Sequence, residues 1–275
     1  MRNKRVLITG IAGSVGSELA RQLCKRNKVY GCDINETGIM DLRNEIPIKA
    51  RVGDIRNPVT VNDIFSDFKP QVVFHAAAYK HVSPMEELPR EAIDANVIGT
   101  HNILHYSKIY PVQKFIYISS DKAVNATSVM GITKRLGEIM CTNKGKGYIA
   151  VRFGNVLGSR GSVIPIWERQ LNQGRPLTVT SAEAERYFMT IEDAVELVIK
   201  AGDDGQGGEI ICLNMGKPVQ ILELAKRIAK ELKGDTKITG LRSGEVLTER
   251  LMSEEEEKRA VYKGKFIIIK PLYEI

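Results

Sequence analysis

A carboxylic acid and an amine are neighbours at Asp121 and Lys122, directly behind the hydroxyls of Ser119 and Ser120. A second amine, Lys134, follows in the chain, with Met130 four positions before it. Side chains of these types can work as acid and base on adjacent atoms of one substrate, one taking a proton while the other delivers one. The plainer alternative is an exposed ion pair with a serine cap beside it, which would carry no chemistry.

The elements that must hold these residues can be read around them. Phe115 to Ile118 is a short apolar run, consistent with a strand buried on both faces. Ser119 to Lys122 then lie at its carboxyl end, where ligands bind in an open parallel sheet. Thr127 or Ser128 can cap a helix running to about Asn143. Within it, Met130 and Lys134 share one face and can both look toward the strand end.

The beginning of the chain offers a dinucleotide site. Val6-Leu7-Ile8 predicts a buried strand, followed by Thr9-Gly10-Ile11-Ala12-Gly13-Ser14-Val15-Gly16 and an amphipathic helix to about Arg26. Gly10 permits the tight turn, Gly13 lets backbone approach a pyrophosphate, and Gly16 allows close helix–strand packing. At Ser14 and Val15 the helix turns free N–H groups and its positive dipole end toward the phosphates. A strand before and a helix after give the glycine pattern its meaning.

Val29 to Cys32 predicts a second strand ending at Asp33, whose carboxylate can accept both adenosine ribose hydroxyls. It would repel a 2′-phosphate, so NAD is favoured over NADP. Alternatively, Asp33 only caps the next helix. A third strand, Ile48 to Val52, precedes Asp54 and Ile55, and Asp54 can accept from the adenine amino group. A fourth, Gln71 to His75, runs into Ala76-Ala77-Ala78, which leaves backbone bare for a cofactor or simply packs tightly. Lys80 follows. Glu86 to Ser107 predicts one long helix containing Asn96, which either braces backbone beside the site or is a satisfied buried amide.

Tyr148 to Arg152 predicts a sixth strand. Helices follow over Val163–Gln173, Ile191–Ala201 and Val219–Leu232, with short strands at Leu177–Val179 and Ile210–Leu213. Glu254 to Arg259 reads as a solvated charged stretch. This alternation predicts an α/β fold with a doubly wound parallel sheet, the NAD(P)-binding Rossmann arrangement, over 1–155. Residues 156–275 form a small substrate-binding cap, of which about 191–213 returns to the sheet.

Composition narrows the rest. At 275 residues and 43% hydrophobic, the chain suits one large domain, or one domain with a cap. The net charge of +7 is scattered, with no zinc-finger spacing or aromatic RNA motif. Nucleic acid is therefore not expected as a partner, and no metal site is read. Cys24, Cys32, Cys141 and Cys212 show no paired spacing, as in reduced proteins. No leader pattern and no bilayer-length apolar run are present, so a cytoplasmic protein without a membrane segment is expected.

Several blocks together resemble a family. The Thr-Gly-x-x-Gly-x-x-Gly start, Asp54-Ile55-Arg56, the alanine triplet and Lys134 are similar to the extended short-chain dehydrogenase/reductases. Narrower matches are Ala-Ala-Ala-Tyr-Lys-His-Val from Ala76, Ser-Ser-Asp-Lys-Ala-Val-Asn from Ser119 and Val-Met-Gly-Ile-Thr-Lys-Arg from Val129. The Val151–Pro165 block, Arg-Tyr-Phe-Met-Thr-Ile from Arg186 and Gly-Leu-Arg-Ser-Gly-Glu from Gly240 extend them. This combination resembles the UDP-N-acetylglucosamine 4,6-dehydratases of polysaccharide and glycan biosynthesis.

The chain departs from the usual pattern at three points. Met130 stands where the commonest short-chain enzymes have Tyr, and a thioether has no proton to exchange. One dehydratase branch, with large membrane-anchored members, shares this Met. That branch's membrane region is not seen here, so a free-standing catalytic unit is expected. Between Asp33 and Arg51 the chain is short, and Val246 replaces the Lys usual after Gly-Glu.

The resemblance implies a UDP-sugar substrate and a tightly bound, recycled NAD or NADP. Hydride leaves C4 of the hexose, water is eliminated across C5 and C6, and hydride returns to C6. Lys122 would be the base at C5, neutral for part of the cycle through burial beside Lys134. Asp121 would be the acid at the C6 oxygen, Ser120 a hydrogen bond to the C4 oxygen, and Lys134 the holder of the nicotinamide ribose. Met130 completes the set. Lys80, Asn155, Val163, Arg186, Arg242 and Glu245 would bind the sugar nucleotide, with the arginines on the diphosphate. A homo-oligomer is expected, with helices 86–107 and 127–143 pairing. The alternatives are a C5-inverting dehydratase, a nucleotide-sugar epimerase, or a catalytically silent NAD(P)-sensing protein.

Overall fold

The computed structural model describes residues 1–232 and 234–272. Six strands follow in chain order, β1 (Arg5–Thr9), β2 (Lys28–Asp33), β3 (Lys49–Val52), β4 (Val72–His75), β5 (Lys114–Ile118) and β6 (Tyr148–Arg152), all largely buried except β3, Lys-Ala-Arg-Val at the sheet edge. Val6, Leu7 and Ile8 are wholly buried, as a strand covered on both faces requires. Later come β7 (Asn155–Val156), β8 (Leu177–Val179), β9 (Glu185–Arg186), β10 (Phe188–Met189), β11 (Ile210–Leu213), β12 (Val219–Gln220), β13 (Thr236–Ile238), β14 (Ala260–Lys263) and β15 (Phe266–Ile269).

Nine strands form one sheet in the order β14-β15-β11-β6-β5-β4-β1-β2-β3. All neighbours pair in parallel from β11 to β3, while β14 and β15 make an antiparallel edge hairpin. The doubly wound Rossmann arrangement expected from sequence is therefore present, mostly parallel rather than wholly so. Strand order reverses between β1 and β4, and ligands bind at such a switch point. Ile210–Leu213 pairs with β6 after the helix Ile191–Asp204, and the hairpin 260–269 joins the sheet beside it.

Four other stretches differ from the sequence expectation. The first helix is Ser14–Leu23 and stops before Arg26, whose carbonyl accepts from the Asn3 amide. The stretch 86–107 is divided into Val82–Glu87, Pro89–Ile93, a π-helical turn at Asp94–Gly99, and Thr100–Ile109. Pro89 lacks an N–H and keeps Leu88 out of helical geometry, at φ −125° and ψ 59°. The π turn surrounds Asn96, and such turns often mark functional positions.

The helix predicted over Val219–Leu232 begins at Ile221, because β12 pairs with β9. The charged run 254–259 is solvated at Glu254, Glu255, Glu257 and Lys258, as expected, but not at Glu256. Glu254–Glu257 is a helical turn closed by a capping box between Ser253 and Glu256, and Glu256 is only 3% exposed. Arg152 reaches it at 2.8 Å from beneath.

Three apolar clusters form among the described residues. The largest covers the sheet, a smaller C-terminal lobe packs Trp167, Leu177, Val179, Ile221 and Ala225 around itself, and Met85, Ala92 and Met130 make the third. Three cysteines (Cys32, Cys141, Cys212) are buried, Cys24 is half-buried, and all four are free thiols.

Candidate active site

Parallel register sets the carboxyl ends of β1, β4, β5 and β6 along one rim. A cavity of about 740 Å³ opens over that rim. Its β1 side is built by glycine. Gly10 has φ +71°, and a Cβ there would meet the Ala77 amide nitrogen at 2.6 Å. The alanine triplet is thus the close neighbour of the glycine turn, with Ala76 and Ala78 on the cavity wall. At Gly16 a Cβ would lie 2.0 Å from the Gly10 carbonyl oxygen, so the helix seats directly on the turn. Gly13, Ser14 and Val15 line the cavity at the helix amino terminus, where the first-turn N–H groups of Ser14 and Val15 have no partner within the helix.

Asp33 sits across this turn, its Oδ2 accepting the Ala12 amide at 2.9 Å and its Oδ1 the Asn35 amide. The helix after β2 is capped by Asn35, so Asp33 is not its cap. The turn fits a dinucleotide through a cradle that a Cβ would fill and a helix terminus for the pyrophosphate, while Asp33 lies behind it with both oxygens on backbone amides and does not line the cavity. Gly16→Ala should therefore lose bound nucleotide and about 1–3 kcal/mol of stability by overpacking. Nucleotide content after gel filtration, together with a melting curve, measures both.

Asp54 and Ile55 do not reach the cavity wall. Asp54 pairs with Arg56 at 2.7 Å, which holds its carboxyl below the usual range, and Ile55 lies in the core against Gly99. Asn96 behaves as a brace. Its amide oxygen accepts from the Tyr79 N–H at 2.8 Å, and its amide nitrogen donates to the Tyr79 carbonyl and Thr133 hydroxyl. Lys80 donates to the Arg160 carbonyl at 2.7 Å, and the Arg160 amide donates to the Ser14 hydroxyl. The loop 158–162 is thereby clasped across the glycine turn.

The acid and base pair lies at the exit of β5. Asp121 is 1% exposed, and its Oδ1 accepts from both Lys122 Nζ and Ser120 Oγ at 2.9 Å. Its Oδ2 is buried without a hydrogen-bond partner among the described residues, against Gly154. Lys122 also lies 3.3 Å from Asn155 Oδ1, which accepts from it rather than reaching for a phosphate. Burial would lower the Lys122 amine, but Asp121 and Glu249 outweigh it and leave it raised. The expectation that burial beside Lys134 would favour a neutral Lys122 is corrected on this point: two carboxylates face it.

Ser128 caps the helix Val129–Thr142 by accepting the Gly131 amide. Met130 and Lys134 both line the cavity from that helix, as their spacing predicts. Lys134 donates to the Ile118 carbonyl at 2.5 Å and lies over the Tyr117 ring at 4.4 Å. Burial pushes its amine down to about 8 against the opposing pull of Glu138.

From the C-terminal half, Val163, Arg186, Arg242 and Glu245 line the cavity. The Arg186 guanidinium donates to the Glu185, Val246 and Leu247 carbonyls, stapling a loop rather than standing free for a diphosphate. Glu245 accepts the Arg242 amide at 3.1 Å, while the Arg242 side chain remains exposed. Glu249 was not anticipated from sequence. It is 8% exposed, lines the cavity and stands 3.5 Å from Lys122. Its only sequence signal was an acid a few residues beyond the Gly-Glu block.

Residues 6–271 match a family described as polysaccharide biosynthesis protein. The chain belongs to the polysaccharide biosynthesis protein family. This family member is 42% identical over 294 residues to the capsular polysaccharide biosynthesis protein CapD of Staphylococcus aureus, covering 96% of itself and 48% of CapD. It thus spans about half the length of that relative. A UDP-glucose 4-epimerase of Rickettsia bellii is 34% identical, with 96% of this chain and 82% of the epimerase covered. Among solved structures, Pen from Bacillus thuringiensis superposes with a TM-score of 0.93 at 32% identity, covering 98% and 90% of the two chains. UDP-glucose 4-epimerase of Thermus thermophilus, crystallised with NAD, shares the fold at a TM-score of 0.80 and 23% identity over 90% of each chain. Among the described residues of this family member, no helix is long and apolar enough to cross a membrane.

Proposed function

We propose that the protein is a nucleotide-sugar 4,6-dehydratase converting UDP-N-acetylglucosamine to UDP-2-acetamido-2,6-dideoxy-4-hexulose. The observation that carries this is the 2.9 Å contact between Lys122 and buried Asp121 at the strand exit. An acid and a base in contact suit elimination across two adjacent carbons, whereas an epimerase acts at C4 alone. The C-terminal lobe serves as the substrate cap.

Bound NAD would remove hydride from C4 and return it to C6. The chain's own groups manage the protons. Ser120 hydrogen-bonds the C4 oxygen and relays its proton to Asp121 through their 2.9 Å bond. Lys122 takes the C5 proton, and Asp121 delivers its proton to the departing C6 oxygen. Each such transfer contributes about 10²–10⁴-fold. Met130 fills the place beside them without exchanging a proton.

One observation favours a second reading: a relative at 34% identity bears the name UDP-glucose 4-epimerase. Purified protein with UDP-N-acetylglucosamine and no added cofactor separates the two by mass spectrometry. Loss of one water is expected, with NAD released on denaturation. An unchanged mass with inverted C4 by proton NMR would make it an epimerase, and an unaltered substrate would end both readings.

A further inference from the structure

Resting on the dehydratase reading, we infer that Glu249 is the group that receives the Lys122 proton and so makes that amine a base after Asp121 has been protonated. Oxidation at C4 releases the proton of the C4 hydroxyl, and without a tyrosine the route to hand is Ser120 to Asp121. Asp121 is then the acid that the departing water needs, and it can no longer accept from Lys122. Lys122 still carries its own proton. The remaining carboxylate in contact with it is Glu249 Oε1, at 3.5 Å.

The cycle balances with these three groups. At rest Asp121 and Glu249 are carboxylates and Lys122 is an ammonium. After C4 oxidation Asp121 is neutral, and Lys122 loses the stronger of its two opposing charges. The Lys122–Glu249 pair then stands in a buried site, where transfer of one proton from nitrogen to oxygen removes two charges at once. Neutral Lys122 takes the C5 proton, and the C6–O bond breaks as Asp121 protonates the leaving oxygen. When hydride has returned to C6, Lys122 gives its proton back to C5 and recovers its own from Glu249. No external acid or base is needed while the sugar covers the cavity.

The surroundings are built for this contact. Arg186 donates to the Val246 and Leu247 carbonyls, and its Nε lies 4.0 Å from Glu249 Oε1. The Glu185 amide donates to the Leu247 carbonyl, and Arg152 and Cys212 both hold the Leu251 carbonyl. The loop carrying Glu249 is thus fixed on both sides of it. The charged groups that face the carboxyl are Lys122, Asp121 and Arg186. Burial raises the Glu249 carboxyl above the ordinary range despite Lys122, which suits a group that must hold a proton for part of the cycle. Glu249 acts through Lys122, so it is a positioning residue rather than a catalytic one.

Glu249→Gln keeps the shape and the Arg186 contact but cannot take a proton. Expected is a fall of about a hundredfold in water loss. KM should stay within about threefold, and bound reduced nicotinamide should still form on mixing with UDP-N-acetylglucosamine. Exchange of the C5 hydrogen with deuterium oxide should disappear with the water loss. Wild-type water loss should decline as pH falls through the Glu249 titration, because a carboxyl already protonated cannot accept. That decline should be missing in E249Q, and Glu249→Asp should recover part of the rate. Wild-type kinetics and C5 exchange in E249Q would overturn the inference alone. Wild-type protein that never loses water would overturn the dehydratase reading and the inference with it. Melting temperature and retained nucleotide show that E249Q is folded.

Discussion

Replacing Lys122 by arginine should lower kcat for water loss by about 10³-fold or more while leaving stability near wild type. Arginine is always protonated and can keep the ion pairs to Asp121 and Glu249, but it cannot serve as a base. Lys122→Met should lose as much activity and also destabilise, since it takes the cation from buried Asp121 and leaves Glu249 with Arg186 at 4.0 Å. The two variants therefore separate proton abstraction from charge balance. Steady-state assay by mass spectrometry gives kcat, and thermal melting gives stability. An arginine variant that turned over normally would end the assignment of Lys122 as the base. If both variants lost activity only in proportion to lost fold, the role would be structural.

Arg152→Met should have the largest effect on stability, about 3–5 kcal/mol, seen as a melting temperature lower by roughly 10 °C. Arg152 has no exposed surface and makes five hydrogen bonds, two each to Glu138 and Glu256 and one to the Leu251 carbonyl. Glu138 also accepts from the Ser119 hydroxyl at 2.6 Å, next to the acid–base pair. Removing the arginine leaves two carboxylates buried, with only Arg135 still in contact with both. The cost comes from those stranded charges rather than from the worth of the pairs. Converting Arg152, Glu138 and Glu256 together to apolar residues of similar size should consequently recover most of the loss. Single and triple variants compared by calorimetry check this.

Much of the Rossmann half is legible because its signals are local. The strands β1, β4, β5 and β6 carry continuous apolar runs, Gly10 and Gly16 are demanded by backbone contact, and Ser128 caps its helix within three residues. Asp121 and Lys122 touch because they are sequence neighbours at a strand end. What could not be read depends on distant partners. Glu256 looks like surface charge until Arg152, far earlier in the chain, is placed beneath it. Glu249 meets Lys122 only through the loop that Arg186 staples. The division of 86–107 was partly visible, since Pro89 forbids an unbroken helix there, but the π turn depends on Asn96 bonding Tyr79. The pairing of β9 with β12 and the edge hairpin 260–269 are likewise long-range, and two-residue strands have no periodicity to detect.

The chain contains a single tryptophan, and Trp167 lies wholly inside the core of the smaller lobe, its indole donating to the Thr178 carbonyl at 2.8 Å. Tryptophan emission from this protein, excited where tyrosine does not absorb, is therefore a local gauge. It registers solvent reaching the small lobe and is blind to the sheet, whose aromatic residues are tyrosine and phenylalanine. Circular dichroism sums over the whole fold. A denaturant titration followed by the two signals compares the cohesion of one core with that of the whole, without any added label.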